Sequence, residues 1–114
     1  MHEHGITNEV VHQIVHACED KGITCPKKII VELGLLTTYK KDPVLFYFEA
    51  HKKNISLLKD ATLEIIEVQG KIKCKDCGEI NIVDPSPLLL CPICDSANVE
   101  IIDGDKIIIK KIIT

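Results

Sequence analysis

The sequence predicts a small α+β protein: a sheet of about three strands with two helices, plus an inserted subdomain held by four cysteines. Three observations predict this fold class. Two stretches have helical periodicity, three β-branched stretches are typical of strands, and two Cys-x-x-Cys pairs stand shortly before the last strand. The predicted order is helix, strand, helix, strand, cysteine module and strand.

The two cysteine pairs are the strongest local signal in the chain. Cys74 and Cys77 form the first pair and Cys91 and Cys94 the second, with thirteen residues between them. Each pair closes a tight turn that directs two sulfurs inward, and two such turns make the tetrahedral thiolate site that zinc accepts. Gly78 fits the position after the first turn, which favours a positive φ. Because all four ligands are cysteine, the predicted zinc is structural and not catalytic.

Three other uses of these cysteines are weighed against zinc. An iron centre of the rubredoxin type takes the same four ligands. Thiol redox chemistry uses a Cys-x-x-Cys motif, although two pairs argue against it. Structural disulfides need an oxidising compartment, whereas the start Met1-His2-Glu3-His4 is unlike a signal peptide. We therefore expect a cytoplasmic protein with reduced thiols.

Composition limits the classes of partner. The chain has 114 residues, enough for one domain with a modest core, and a formal net charge of −3. All fourteen basic residues are lysine, and aromatic residues make up 4%, which argues against nucleic-acid binding. No apolar run reaches the roughly 20 residues that span a bilayer, so no membrane segment is expected.

The first predicted helix covers residues 8–21, with Thr7 or Asn8 as its cap and Gly22 at its end. Residues 1–4 are expected to stand before any periodic structure. Helical spacing places His12 and His16 on the polar face, and it places six apolar residues together on the opposite face: Val10, Val11, Ile14, Val15, Ala17 and Cys18. Two histidines four residues apart can bind a metal, but on a polar face solvated side chains are the simpler interpretation.

The middle of the chain is expected to supply two strands and the second helix. Residues 28–33 are β-branched and bounded by Pro26 and Gly34, which predicts a strand. Asp42 and Pro43 predict a helix start, with Asp42 as the N-cap and Pro43 at the first helical position. That helix is apolar nearly all round, so we expect it to lie between the sheet and something else. Residues 61–68 alternate in part and predict the second strand.

The rest of the chain predicts the domain organisation. The cysteine module runs from about residue 69 to residue 98. Asp103-Gly104-Asp105 then predicts a hairpin turn between residues 99–102 and the terminal strand at residues 106–113, which should pair beside the earlier strands. Residues 1–69 with 105–114 are accordingly expected to form one α/β domain, and residues 70–104 the zinc-binding subdomain.

The amino terminus offers a second candidate metal site. A bulky second residue normally leaves the initiator methionine in place, so the free amine should belong to Met1. That amine, the amide nitrogen of His2 and the His2 imidazole can chelate one ion in fused rings. The fourth donor can be the Glu3 amide, the Glu3 carboxylate or a later side chain. A planar nitrogen and oxygen set suits Ni²⁺ or Cu²⁺ better than Zn²⁺.

Several motifs, in this order, resemble the HypA/HybF family of hydrogenase maturation factors. The combination of the Met-His-Glu start with the late cysteine pairs is specific, and the resemblance covers essentially the whole chain. The motifs are Met1-His2-Glu3, Val31-Glu32-Leu33-Gly34, Phe46-x-Phe48-Glu49, Ala61-x-Leu63-x-Ile65, the two cysteine pairs, and Gly104-Asp105 before the terminal strand. His4-Gly5 departs from the family pattern.

The resemblance implies a nickel metallochaperone for [NiFe]-hydrogenase, and in some organisms for urease, and not an enzyme. It implies His2 as the essential nickel ligand with the Met1 amine beside it, and Glu3 in a tuning or partner-contact role. Cys74, Cys77, Cys91 and Cys94 match the family's zinc ligands. The implied partners are a HypB-type GTPase and the hydrogenase large subunit.

Two further readings follow from the residues alone. The rival function is a zinc-ribbon interaction module, binding protein or nucleic acid, without a nickel role. A homodimer or a strand-exchanged form is compatible with a terminal strand that follows an inserted module.

Two cysteines lie outside the Cys-x-x-Cys pairs. Cys18 is expected in the core, and Cys25 is expected to be a free thiol in a loop.

Overall fold

The computed structural model describes residues 2–114, with side chains from Glu9 onward. This part of the chain contains two helices and six strands, and a short 3-10 helix lies at Ser56–Leu58. The elements are α1 (His2–Asp20), β1 (Lys28–Gly34), α2 (Lys41–Lys52), β2 (Thr62–Val68), β3 (Gly70–Cys74), β4 (Ile80–Val83), β5 (Val99–Asp103) and β6 (Ile107–Ile113).

Helix α1 begins at His2, six residues before the start that the sequence predicts, so the expectation of a non-helical start is wrong from residue 2 onward. Residues 2–8 contain no proline, and the one glycine among them, Gly5, costs only about 1 kcal/mol in a helix interior. A single glycine is therefore too weak a signal to stop helix propagation, and the capping residues Thr7 and Asn8 lie inside the helix.

The end and the buried face of α1 agree with prediction. Gly22 has a φ of 67°, and its N–H donates to the carbonyl of Glu19 at 3.1 Å. The Ile23 N–H donates to the carbonyl of Cys18 at 2.8 Å, which completes a Schellman motif. Val10, Val11, Ile14 and Cys18 are buried as expected, because they share the apolar face.

Helix α2 differs from prediction at its start and on its surface. It begins at Lys41 after the extended Lys40, so Asp42 is not the cap and Pro43 takes the third helical position. Proline is tolerated there because N–H groups of the first turn have no intrahelical acceptor. Only one face is covered: Val44 and Phe48 are buried, whereas Phe46 is 68% exposed. The expectation of an apolar helix enclosed nearly all round is therefore wrong.

The first sheet has the strand order β2-β1-β6. Strand β2 is parallel to β1 and β6 is antiparallel to it, so the terminal strand pairs beside an earlier strand as predicted. Ile29, Val31 and Leu33 alternate onto one face of β1 and join the core with residues of both helices. This sheet of three strands with two helices confirms the predicted fold class.

The second sheet has the order β4-β3-β5 and is antiparallel throughout. The predicted hairpin between β5 and β6 is wrong, because the two strands belong to different sheets. Val99 pairs with Cys74 in the second sheet, whereas Ile107 pairs with Leu33 in the first. Gly104, with a φ of 85°, lies where the chain passes from one sheet to the other. Asp103-Gly104-Asp105 does form the predicted turn, but this turn leads the chain from one sheet to the other and closes no hairpin.

Neither helix, over the described residues, combines the length and the apolar content that crossing a membrane requires.

Candidate metal centre

The first cysteine turn is built on the end of β3. The Cys74 N–H donates to the carbonyl of Glu79 at 2.9 Å, and the Gly78 N–H donates to the carbonyl of Cys74 at 2.9 Å. Gly78 has a φ of 80°, the positive value expected from its place after the second cysteine. The Cys77 N–H lies 3.4 Å from the Cys74 sulfur and donates to it. These main-chain hydrogen bonds alone wrap the first turn around the Cys74 sulfur.

The second turn repeats the same pattern seventeen residues later in the sequence. The Cys91 N–H donates to the carbonyl of Ser96, and the Asp95 N–H donates to the carbonyl of Cys91, both at 2.9 Å. Asp95 takes a φ of 62° where the first turn has glycine, a conformation that Asp accepts because its short polar side chain can bond locally. The Ile93 N–H donates to the Cys91 sulfur at 3.4 Å.

The two turns bring four sulfurs together. All four Sγ atoms lie within 4.8 Å of one another, and the distances from Cys74 to Cys94 and from Cys77 to Cys91 are both 3.6 Å. A tetrahedral ion with bonds of about 2.3 Å needs sulfurs about 3.8 Å apart. Among the residues whose side chains are described, this is the only group of three or more histidines, cysteines and acids able to hold a metal. The donor set therefore fits a closed tetrathiolate site.

The four thiols differ in exposure, and the pKa values of Cys74 and Cys94 are shifted in opposite directions. Cys74 and Cys91 are buried, whereas Cys77 and Cys94 are exposed. The Cys77 backbone N–H is the main cause that lowers the pKa of Cys74 to about 7. The Ser96 backbone N–H lowers the pKa of Cys94, but the Cys74 thiol and desolvation outweigh it and raise the value to about 12. A metal that binds here displaces thiol protons, because thiolates are the ligands.

A polar network of Asp76, Ser96 and Asn98, which the sequence did not predict, joins the two turns. The Ser96 hydroxyl donates to Asp76 Oδ2, and the Asn98 side-chain amide donates to Asp76 Oδ1 at 3.2 Å. These hydrogen bonds lower the pKa of Asp76. The Lys75 N–H donates to the carbonyl of Asn98 at 2.9 Å. The sequence signals only the local part of this network: a serine after a turn often accepts from the main chain two residues on, as Ser96 does from the Asn98 N–H at 3.0 Å.

The predicted nickel ligands lie outside the described side chains. Met1 is outside the described residues altogether, and for His2 and Glu3 only the backbone is described, as the start of α1. The ligand set Met1, His2 and Glu3 therefore stays a prediction. A helix that begins at His2 leaves the N–H groups of its first turn without intrahelical acceptors.

The other histidines predicted on α1 lie where the periodicity places them. His12 and His16 are both exposed, and His16 Nε2 lies 3.5 Å from Asp20 Oδ2 in an exposed contact. This arrangement is consistent with the interpretation that the pair is solvated.

The two cysteines outside the metal centre are separate free thiols. Cys18 is fully buried among apolar residues, and desolvation raises the pKa of its thiol. Cys25 is exposed, and its thiol donates to Asp60 Oδ2 at 3.8 Å. Both placements confirm the sequence-based expectations.

A three-stranded mixed sheet backed by two helices, joined to a second sheet that carries a four-cysteine cage, defines a small α+β metal-binding protein. The family model described as "HypA: Hydrogenase/urease nickel incorporation, metallochaperone" matches residues 1–114. The chain belongs to the HypA family, as its sequence motifs predicted.

Individual relatives agree with this assignment. A protein from Rippkaea orientalis named hydrogenase maturation factor HypA is 38% identical over 111 residues, which are 97% of this chain and 93% of the relative. One of the same name from Moorella thermoacetica is 36% identical over 104 residues, 91% of this chain and 90% of the relative.

Solved structures support the fold. The solution structure of the Ni metallochaperone HypA from Helicobacter pylori superposes with a TM-score of 0.71 at 20% identity, covering 97% of this chain and 95% of that one. A second solution structure of a HypA protein gives a TM-score of 0.67 at 21% identity, covering 98% of this chain and 94% of the other.

Proposed function

We propose that this protein is a nickel metallochaperone and not an enzyme. It binds Ni(II) at its amino terminus through the Met1 amine and His2, with Glu3 beside them, and delivers the ion for maturation of [NiFe]-hydrogenase. The observation that carries the proposal is the family match over residues 1–114, which includes the Met-His-Glu start. Its partners are a HypB-type GTPase and the hydrogenase large subunit, and it acts in the cytoplasm.

The proposed zinc site is structural and is formed by Cys74, Cys77, Cys91 and Cys94. The sulfur distances of 3.6 Å support this role because they suit a tetrahedral ion, and four cysteine ligands leave no position open for chemistry. Six free cysteines in the described chain are in keeping with a reducing compartment.

We further propose a division into a nickel-binding domain of residues 1–69 with 105–114 and a zinc-binding subdomain of residues 70–104. The distribution of strands supports it. The first sheet uses β1, β2 and β6, and the second uses β3, β4 and β5. Two short crossings, after β2 and after β5, connect the sheets.

The chemistry of the proposed nickel site allows the protein to hand the nickel ion to a partner. A chain end with few side-chain ligands holds nickel more weakly than a buried cage would, so a partner that offers more or better donors can take the ion. The cysteine cage retains its ion where the chain end releases one, because four thiolates hold zinc tightly and the bound zinc stabilises the fold of the second sheet.

The test is a titration of Ni²⁺ into three proteins: the untagged chain with an authentic Met1, His2→Ala, and a form extended at its amino terminus. We expect one nickel per chain in the first and loss of that site in both variants, with the zinc content unchanged in all three. A double replacement of His12 and His16 by alanine is the matched control and should keep the site.

Different results would reassign the function. Equal nickel binding by all forms with an intact His12 and His16 would move the site to that exposed pair. If no form binds nickel, the zinc-ribbon interaction module becomes the better reading. The exposed Ile80 and Ile82, 52% and 59% accessible on the edge strand β4, would then be the surface to examine first.

The pH dependence of nickel affinity is a second check. Histidine and an α-amine ordinarily lose their protons near pH 6.5 and pH 7.7–8.0, respectively. Since both must be deprotonated to bind, we expect the affinity to fall as the pH drops from about 8 to 5.5. Isothermal titration across this range measures it, and a flat profile would contradict coordination by the amine and the imidazole.

A further inference from the structure

The two cysteine turns are joined by contacts that involve no sulfur. Asp76 lies between Cys74 and Cys77 in the first turn, whereas Ser96 and Asn98 follow the second turn. One carboxylate oxygen of Asp76 accepts from the Ser96 hydroxyl, and the other accepts from the Asn98 amide at 3.2 Å. A single side chain of the first turn therefore holds two residues of the second.

Ser96 is the centre of this network because it also orders its own turn. Its carbonyl accepts the N–H of Cys91 at 2.9 Å, and its hydroxyl oxygen accepts the N–H of Asn98 at 3.0 Å. With that lone pair occupied, the hydroxyl proton is directed to Asp76. The Asn98 carbonyl in turn accepts the N–H of Lys75 at 2.9 Å, which returns the network to the first turn.

We propose that Asp76 is a positioning residue that holds the two cysteine turns in register through hydrogen bonds that involve no sulfur and no ion, and so slows the loss of metal from the cage. The inference rests on the proposed zinc role of the four cysteines and goes beyond it. An ion that leaves must first lose contact with one turn. While the turns stay joined through Asp76, a detached thiolate remains next to the ion and rebinds before the ion escapes.

The negative charge of Asp76 is a second possible reason for slow metal loss, and it predicts different effects of substitution from the hydrogen-bond network. If only the negative charge of Asp76 mattered, Asp76→Asn would be as harmful as Asp76→Ala, and Ser96→Ala would have no effect. If the network is the cause, Asp76→Asn should be intermediate, because its remaining oxygen can still accept from Asn98. Ser96→Ala, which leaves the charge in place, should then also speed metal loss.

The experiment measures zinc release to excess chelator from the full chain, following free zinc with a dye. We expect Asp76→Ala to release zinc about threefold to tenfold faster, the size of effect that goes with losing exposed hydrogen bonds to a charged group. Combining Asp76→Ala with Ser96→Ala should speed release by less than the product of the two single effects, because both single variants already lose the hydrogen bond between Ser96 and Asp76. Asp84→Ala is the matched control. Asp84 is exposed in the same subdomain and has no side-chain hydrogen bond in the described part of the chain.

Two further readouts separate this role from general destabilisation and from the zinc assignment. Co²⁺-substituted variants should keep the wild-type absorption bands, since the filled cage has the same four ligands. In the protein as purified, the Lys75 amide proton should exchange faster in Asp76→Ala than in wild type, because Asp76 no longer holds Asn98, whose carbonyl accepts that proton. A wild-type release rate in Asp76→Ala, additive double variants or an unchanged Lys75 exchange rate would overturn the proposal. Absence of bound zinc in wild type would instead overturn the zinc assignment, while the Lys75 measurement would still decide the role of Asp76.

Discussion

Replacing Cys74 by alanine is expected to remove zinc from the protein and to unfold the second sheet while the first sheet and both helices remain folded. Cys74 is both the last residue of β3 and one of the four sulfurs of the cage, so its loss leaves three ligands and an interrupted turn. Structural zinc contributes about 10–16 kcal/mol of apparent binding free energy in zinc-finger peptides. A subdomain of about 35 residues has too small a core to replace that contribution.

The measurement combines metal analysis with amide exchange resolved by residue. In Cys74→Ala, amides of β3, β4 and β5 should lose protection, whereas those of Ile29, Val31 and Leu33 in β1 should keep theirs. Cys25→Ala is the matched control, because Cys25 is an exposed cysteine outside the cage. A Cys74→Ala protein that retains one zinc and melts like wild type would show that the ligand assignment is wrong.

Replacing Gly34 by alanine is expected to destabilise the whole chain by about 3 kcal/mol, because the added methyl group meets fixed main chain. A Cβ on Gly34 would overlap the carbonyl of Gly104 and lie 2.9 Å from the carbonyl oxygen of Lys106. Neither atom can move freely: the Gly104 carbonyl accepts the N–H of Leu36, and the Lys106 carbonyl accepts the N–H of Gly34, both at 2.8 Å. These contacts lie where the chain passes between the two sheets.

Urea denaturation followed by circular dichroism measures this effect, with a fall in Tm of about 10 °C as a second readout. Gly22→Ala is the control for backbone strain alone. Gly22 has a φ of 67° but nothing within 4 Å of an added Cβ, so its replacement should cost about 1 kcal/mol. Equal losses in the two variants would contradict the proposed close approach at Gly34.

Local patterns determined much of this protein. Cysteine spacing places two sulfurs on each turn whatever the surrounding sequence, and Gly78 takes the positive φ that its place after the first turn predicts. Alternation in β1 puts Ile29, Val31 and Leu33 on one face, and the 3.6-residue period buries Ile14 and Cys18. These features depend on neighbours a few residues apart, so a sequence is sufficient to predict them.

The errors in the predicted starts of α1 and α2 arose where the local sequence signal is weak or is compatible with more than one helix boundary. Asp42 and Pro43 are good starting residues, but a first helical turn also accepts proline at its third position, because the N–H that proline lacks would have no intrahelical acceptor there. Gly5 lowers helix stability too little to end α1. Both errors shift a boundary and leave the fold class unchanged.

The tertiary structure alone decided which strands share a sheet and how the two cysteine turns are joined. A turn such as Asp103-Gly104-Asp105 fixes the local path of the chain, but β5 bonds to β3 and β6 bonds to β1 because those partners, distant in sequence, offer free edges. Likewise, Asp76 meets Ser96 only after both turns have formed, twenty residues apart in sequence. By itself, the sequence determined the fold class, the cysteine cage and the family, because each depends on local spacing or on motifs in order. Strand partners, the close approach at Gly34 and the Asp76 network depend on contacts between distant segments, which no local pattern encodes.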